Sequence, residues 1–150
     1  MTIDPSRHWS RLPKDREELL SLFLGVREQT ESLCSPLKNE DFQLQSMPDC
    51  SPPKWHLAHT TWFFETVVLE AAIPGYRSPF PGYRELFNSY YQAVGPQFAR
   101  PQRGLITRPG LAEVLDYRQH IDQQLLALLN QRAGLAHEVG EIKKVEGSPV

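Results

Sequence analysis

A chain of 150 residues with 16 Lys and Arg against 18 Asp and Glu, a net charge of -2 and a pI near 6.2 suits one domain with a real core and lacks the positive field that nucleic acid or an acidic membrane would need. Two cysteines, Cys34 and Cys50, are too few for a disulfide scaffold, and the start Met1-Thr-Ile-Asp-Pro has neither the basic residues nor the apolar run of a secretion signal, so free thiols in a reducing cytoplasm are expected. The longest apolar stretch, Trp62 to Ile73, is broken by Glu65 and Glu70 and is too short for a bilayer, which predicts a soluble protein.

Residues 1–12 are polar and read as an arm, with Trp9 docking on the body. From Lys14 to Cys34 the apolar residues Leu19, Leu22, Phe23, Val26 and Leu33 recur at threes and fours, with Glu17, Glu18, Arg27, Glu28 and Glu31 largely opposite, so a first long helix is predicted. Its acidic first turn complements the helix dipole. Residues 35–50 form a connection stiffened by Pro36 and Pro48, with one helical turn around Asn39 to Phe42. A second long helix starts with Ser51 as N-cap and Pro52 at the first helical position, and runs to about Ile73, where Pro74-Gly75 stops it.

After a turn-rich stretch with Pro79, Pro81 and Gly82, residues Tyr83 to Val94 predict a short aromatic helix that ends at Gly95-Pro96. Phe87, Tyr90 and Tyr91 on it either cover one end of the core or line a pocket. The basic segment from Phe98 to Pro109 reads as coil, with Thr107 capping a third long helix and Pro109 inside its first turn. Leu111, Val114, Ile121, Leu125 and Leu128 give that helix a buried stripe to about Arg132, and Gly134 ends it. No strand-like alternation is long enough to predict a strand. The expected architecture is all-α, an antiparallel helical bundle over residues 13–133 with an incomplete fourth helix, followed by a short irregular segment at 134–150.

The segment Ser51-Pro-Pro-Lys-Trp-His-Leu-Ala-His-Thr-Thr-Trp-Phe-Phe-Glu65 carries the most unusual chemistry, because it sets two imidazoles in an aromatic helix. His59 lies one turn from Trp55, Trp62 and Phe63, and there it is either a satisfied core residue or a metal ligand. His56, three positions earlier, could chelate the same ion or sit at the solvent edge beside Lys54. His120 reads as a surface residue beside Glu113 and Asp116, His8 belongs to the arm, and His137 with Glu141 could offer an imidazole and a carboxylate from one helical face. There is no phosphate-cradling glycine loop, no Gly-x-Ser-x-Gly elbow and no Cys-x2-Cys pair. Arg100, Arg103 and Arg108 sit in a proline-stiffened loop, where guanidinium groups either clamp carboxylates or are simply solvated.

Together with Leu86-Phe-Asn-Ser-Tyr-Tyr-Gln-Ala-Val-Gly-Pro96 and Arg100-Pro-Gln-Arg-Gly-Leu-Ile-Thr-Arg-Pro109, the histidine segment resembles the N-terminal DinB-like domain of ergothioneine-biosynthesis sulfoxide synthases, the EgtB family, over roughly residues 12–130. The resemblance implies a DinB-type helical bundle that works with a formylglycine-generating-enzyme-like domain, joining a thiol to trimethylhistidine as a sulfoxide with nonheme Fe(II) and oxygen. By the Trp-x-Leu-Ala-His motif it implies His59 rather than His56 as an iron ligand. By spacing and place in the family it implies Arg100 and Arg103 as holders of the thiol substrate's carboxylates. The family continues into a fourth helix with a His-Glu-Gln-Gln-His-Gln-Glu type motif that supplies two further iron ligands, and here only His137-Glu138 preserves its opening. A fragment or split subunit, inactive alone and completed by such a partner domain, is therefore expected. Two other readings stand beside it: a noncatalytic assembly module that covers an apolar face by dimerisation or with a partner helix, and a stand-alone DinB-like metal-dependent thiol enzyme using His59 with His56 or His137.

Overall fold

The computed structural model describes the backbone of residues 13–146 and the side chains of residues 13–131, and among these every regular element is helical. The arm with His8 and Trp9, and the side chain of His137, lie outside the described residues. The chain forms two units, Met1–Ser32 with Leu125–Val150, and Leu33–Gln124.

In the first unit, α1 (Arg16–Cys34) contributes its residues up to Ser32. It starts two residues later than Lys14 because Asp15 Oδ1 accepts the Glu18 N–H at 2.9 Å while Glu18 Oε2 accepts the Lys14 N–H at 2.6 Å, so orphan donors of the first turn are satisfied by side chains. Arg27, expected on the charged face, is instead buried, with its guanidinium 5.9 Å from the ring of Phe23 one turn earlier. Leu19 and Val26, expected inside, are about two-fifths exposed at 40% and 39%. An i, i+4 cation–aromatic pair thus overrides the simple separation of apolar and charged residues. Arg16 Nη2 also donates to Asn130 Oδ1 at 2.5 Å, and Leu125 of the last helix is buried.

In the second unit a 3-10 turn at Asp41–Gln43 buries Phe42, and α2 spans Pro53–Phe63. Pro52, not Ser51, is its N-cap, with Pro53 at the first helical position. The Ser51 hydroxyl accepts from Arg103 Nη1 at 2.8 Å instead of capping the helix. The helical path continues through a π-helical stretch, Phe64–Leu69, into α3, Glu70–Ala72, close to the expected stop before Pro74. The core of this unit is formed by Phe42, Trp55, Leu57, Ala58, Trp62, Phe87, Ile106 and Val114. Lys54 is buried beside it, and its ammonium is satisfied by Gln43 Oε1 and, at 2.7 Å, by the Ile106 carbonyl.

The aromatic helix expected over Tyr83–Val94 is broken. Only α4 (Tyr83–Leu86) and a 3-10 turn at Gln92–Val94 are regular, because the side chain of Asn88 takes up the backbone groups that a helix would have used. Residues Arg100–Leu105, read as coil, form a 3-10 helix. The last helix, α5, begins at Leu111 rather than after Thr107, because Glu113 Oε2 reaches back to accept the Gly110 N–H at 2.7 Å. Gly134 does not end it. The backbone is helical to Glu146, which corrects the irregular segment expected from 134 onward and leaves no separate fourth helix among the described residues. A helical glycine costs only about 1 kcal/mol relative to alanine, and Ala133, Leu135 and Ala136 around it are strong helix formers.

Candidate functional site

The site grows out of a capping problem. A four-residue helix such as α4 leaves carbonyls at its C-terminal end without helical partners. Three ring N–H groups from one face of α2 meet that need: Trp62 Nε1 donates to the Arg84 carbonyl at 3.1 Å, Trp55 Nε1 to the Leu86 carbonyl at 3.0 Å, and His59 Nδ1 to the Phe87 carbonyl at 2.7 Å. Since a carbonyl only accepts, the proton of a neutral His59 sits on Nδ1 and the lone pair is left on Nε2. Trp55 stacks on one side of the imidazole at 4.5 Å between centroids and Trp62 on the other at 5.6 Å, with Tyr91 tilted beside it at 6.5 Å. Burial holds the His59 pKa below its ordinary 6.5; the Phe87 bond opposes this and the Arg103 charge adds to it. His59 is therefore a neutral, oriented donor at neutral pH.

His56 is exposed, with its ring edge-on to Trp55 at 5.6 Å, and its pKa is also lowered, by desolvation first and by Arg103 second. The two imidazoles thus use the same indole in different ways. His120, expected on the surface, is half-buried, packed edge-on against Phe80 at 5.6 Å and 2.6 Å from Gln124 Nε2.

Arg103 extends the stack. Its guanidinium lies 3.6 Å from the centroid of Trp55, and the residue is only 3% exposed. Nη1 donates to Ser51 and Nη2, at 3.5 Å, to Ser89, whereas the buried Nε has no hydrogen-bond partner among the described residues. Burial, and then the neighbouring Arg100, depress its pKa to about 10, so it stays cationic at neutral pH. Arg100 is half-buried and lies 4.9 Å from the ring of Tyr90. Both arginines line an open cavity of about 550 Å³ with Asp49, Ser89, Tyr90 and Gln97. Their 3-10 helix is held from outside by Gln45, whose side chain donates to the Arg100 carbonyl at 2.8 Å and accepts from the Gly104 N–H at 2.7 Å. Two cations, Arg100 and Arg103, and one carboxylate, Asp49, thus line the same cavity.

Arg108, the third loop arginine, points elsewhere: its guanidinium pairs with Glu113 at 3.1 Å and is strongly exposed. Sequence reasoning missed Asp49, Ser89 and Gln97. It also missed the pairing of Ser51 with Arg103, for which the N-cap preference of serine was a misleading signal.

A second buried constellation was also overlooked. Glu65, read as an interruption of the apolar run, is 3% exposed on the π-helical stretch, and its carboxylate accepts from Tyr76 Oη at 2.9 Å and Tyr117 Oη at 2.5 Å. Burial first, and the Glu65 charge next, push both phenols far above their ordinary 10. Its position, three residues after Trp62 and seven after Ala58, was the available signal that it faces inward.

The fit to iron is partial. His59 has what a metal-bound histidine needs, a fixed tautomer with its other nitrogen on a carbonyl. No group of three or more His, Cys, Asp or Glu that could hold a metal ion occurs among the described residues. A complete centre is not built by these residues.

Among the described residues the fold is all-helical, with an oriented neutral imidazole stacked on the same indole as the buried guanidinium of Arg103. The chain matches the model of the DinB superfamily over residues 22–146 and belongs to that superfamily. Comparison with curated proteins gives no match. No helix among the described residues is long and apolar enough to cross a membrane.

Proposed function

We propose that this chain is the DinB-like domain of an ergothioneine-type nonheme iron sulfoxide synthase, in which it holds the carboxylate of a thiol substrate and lends one imidazole to Fe(II). The observation that supports this reading is the continuous stack Arg103–Trp55–His59, in which the guanidinium carbon lies 3.6 Å from the indole centroid and the imidazole centroid 4.5 Å from it, so that a cation and an imidazole share one ring. The motifs around Trp55 to Glu65, Leu86 to Pro96 and Arg100 to Pro109 support it, since all three converge on that stack or on its cavity.

In this reading Arg103 is the fixed half of a clamp and Arg100 the adjustable half. A carboxylate in the cavity would lie against the Arg103 guanidinium while Arg100 leaves Tyr90 to cover its other oxygen. His59 keeps Nε2 free of protons at working pH. When bound, Fe(II) would supply oxygen activation for joining the thiol to trimethylhistidine, but the described residues contribute one donor only, so no step of that chemistry is assigned to them. The remaining donors and the catalytic surface would come from a formylglycine-generating-enzyme-like partner domain.

Titration calorimetry with L-cysteine tests the reading. Saturable binding that falls at least tenfold in Arg103→Ala and less in Arg100→Ala is expected. A wild-type chain that does not bind L-cysteine, or an Arg103→Ala chain that binds it as well, overturns it.

A further inference from the structure

Asn88 is 1% exposed and its amide group is engaged on every side. Nδ2 lies 3.2 Å from the Tyr91 carbonyl, 3.0 Å from that of Gly95 and 3.1 Å from that of Pro96, while Oδ1 accepts the Tyr91 N–H at 3.3 Å. A single planar group thus closes the loop from 88 to 96 by acting as donor and acceptor at once. Aspartate could not do this, because its oxygens would face three carbonyls, and glutamine would carry the amide one methylene too far. The far end of the loop is equally constrained, for Gly95 has φ 134° and ψ -160°, a region open essentially to glycine alone.

What this loop carries is the site itself. Ser89 meets Arg103, Tyr90 lies against Arg100 and lines the cavity, and Tyr91 packs 5.5 Å from Trp62 and 6.5 Å from His59. We propose that Asn88 is a positioning residue whose amide fixes this loop so that Ser89 and Tyr90 meet the carboxylate cavity and Tyr91 stays beside the imidazole. The part concerning the cavity rests on the carboxylate reading above, whereas the part concerning Tyr91 does not. Asn88 touches no substrate in this scheme and acts only through its three neighbours.

The experiment compares wild type, Asn88→Asp, Gly95→Ala and Tyr76→Phe by L-cysteine titration and by side-chain NMR of the Tyr91–Trp62 ring contact. Asn88→Asp is expected to lose the ring contact and to bind L-cysteine at least tenfold more weakly. Gly95→Ala, which strains the same loop while leaving the Asn88 side chain unaltered, should show the same two losses. Tyr76→Phe removes a half-buried hydrogen bond elsewhere and should lower the melting temperature while leaving both readouts at wild-type values. If the wild type shows the ring contact but no L-cysteine affinity, the cavity reading fails and the NMR comparison still decides the role of Asn88. The proposal is overturned if a folded Asn88→Asp chain keeps the Tyr91 contact. It is equally overturned if Asn88→Asp fails to fold while Gly95→Ala keeps both readouts, since Asn88 would then be a general core residue.

Discussion

At the scale of single residues, the stack Arg103–Trp55–His59–Trp62 ties charge, packing and proton affinity together. Trp55 is 3% exposed and donates to Leu86, so Trp55→Ala removes core volume and leaves a carbonyl unpaired; a loss of about 3–5 kcal/mol is expected in urea unfolding. The same variant should lose L-cysteine affinity, because Arg103 loses the surface it lies on. Both His56 and His59 have folded pKa values below the ordinary 6.5. As pH falls through that ordinary value, the unfolded chain takes up protons that the folded chain refuses, so stability must fall with it and level off only once the folded groups also protonate. Urea midpoints measured from neutral pH to about pH 5 should show this decline, and His59→Gln should flatten it. Of these features only the presence of His59 among aromatics was legible along the chain. The indole between it and Arg103 was not, since Trp55 and Arg103 are brought together by a 3-10 helix that the loop composition did not announce.

At the scale of elements, proline and glycine punctuation located the helical path from Pro53 to Ala72 to within about two residues, and the apolar recurrence found α1 and α5. Three of the errors share a cause: side chains competing with the backbone. Asn88 dissolves the expected aromatic helix, Glu113 moves the start of α5 to Leu111, and Ser51 spends its hydroxyl on Arg103 rather than on a cap. The π-helical stretch shows the same lesson for charge, because it holds Glu65 against two phenols instead of in water. In Glu65→Gln the charge contribution disappears while burial remains, so Tyr76 and Tyr117 should ionise at lower pH than in wild type, though still above an exposed tyrosine. A tyrosinate absorbance titration reads this directly, and an unchanged curve would mean that the carboxylate does not set those phenols.

At the scale of the whole molecule, the two units differ in how they are held. The unit Leu33–Gln124 has a continuous core built around Trp55, Trp62 and Phe87, together with buried polar groups that are tied to its backbone. In the described part of the other unit, Arg27 and Leu125 are the buried residues, and Leu19, Leu24 and Val26 remain substantially exposed. Amide exchange should therefore be slower in 55–62 and 114–121 than in 16–32, and equal protection in both would show one cooperative unit instead.

Helix positions, the all-α class and the company kept by His59 follow from local chemistry, because 3.6-residue recurrence, proline and glycine act within a few neighbours along the chain. The tautomer of His59, the burial of Arg103 and the closure of the loop by Asn88 needed the folded molecule. The first two depend on partners many positions away, such as Phe87 for His59 and Ser51 for Arg103. Hydrogen bonds and ring contacts of that kind are set by which surfaces meet, and one-dimensional patterning records only which surfaces are available.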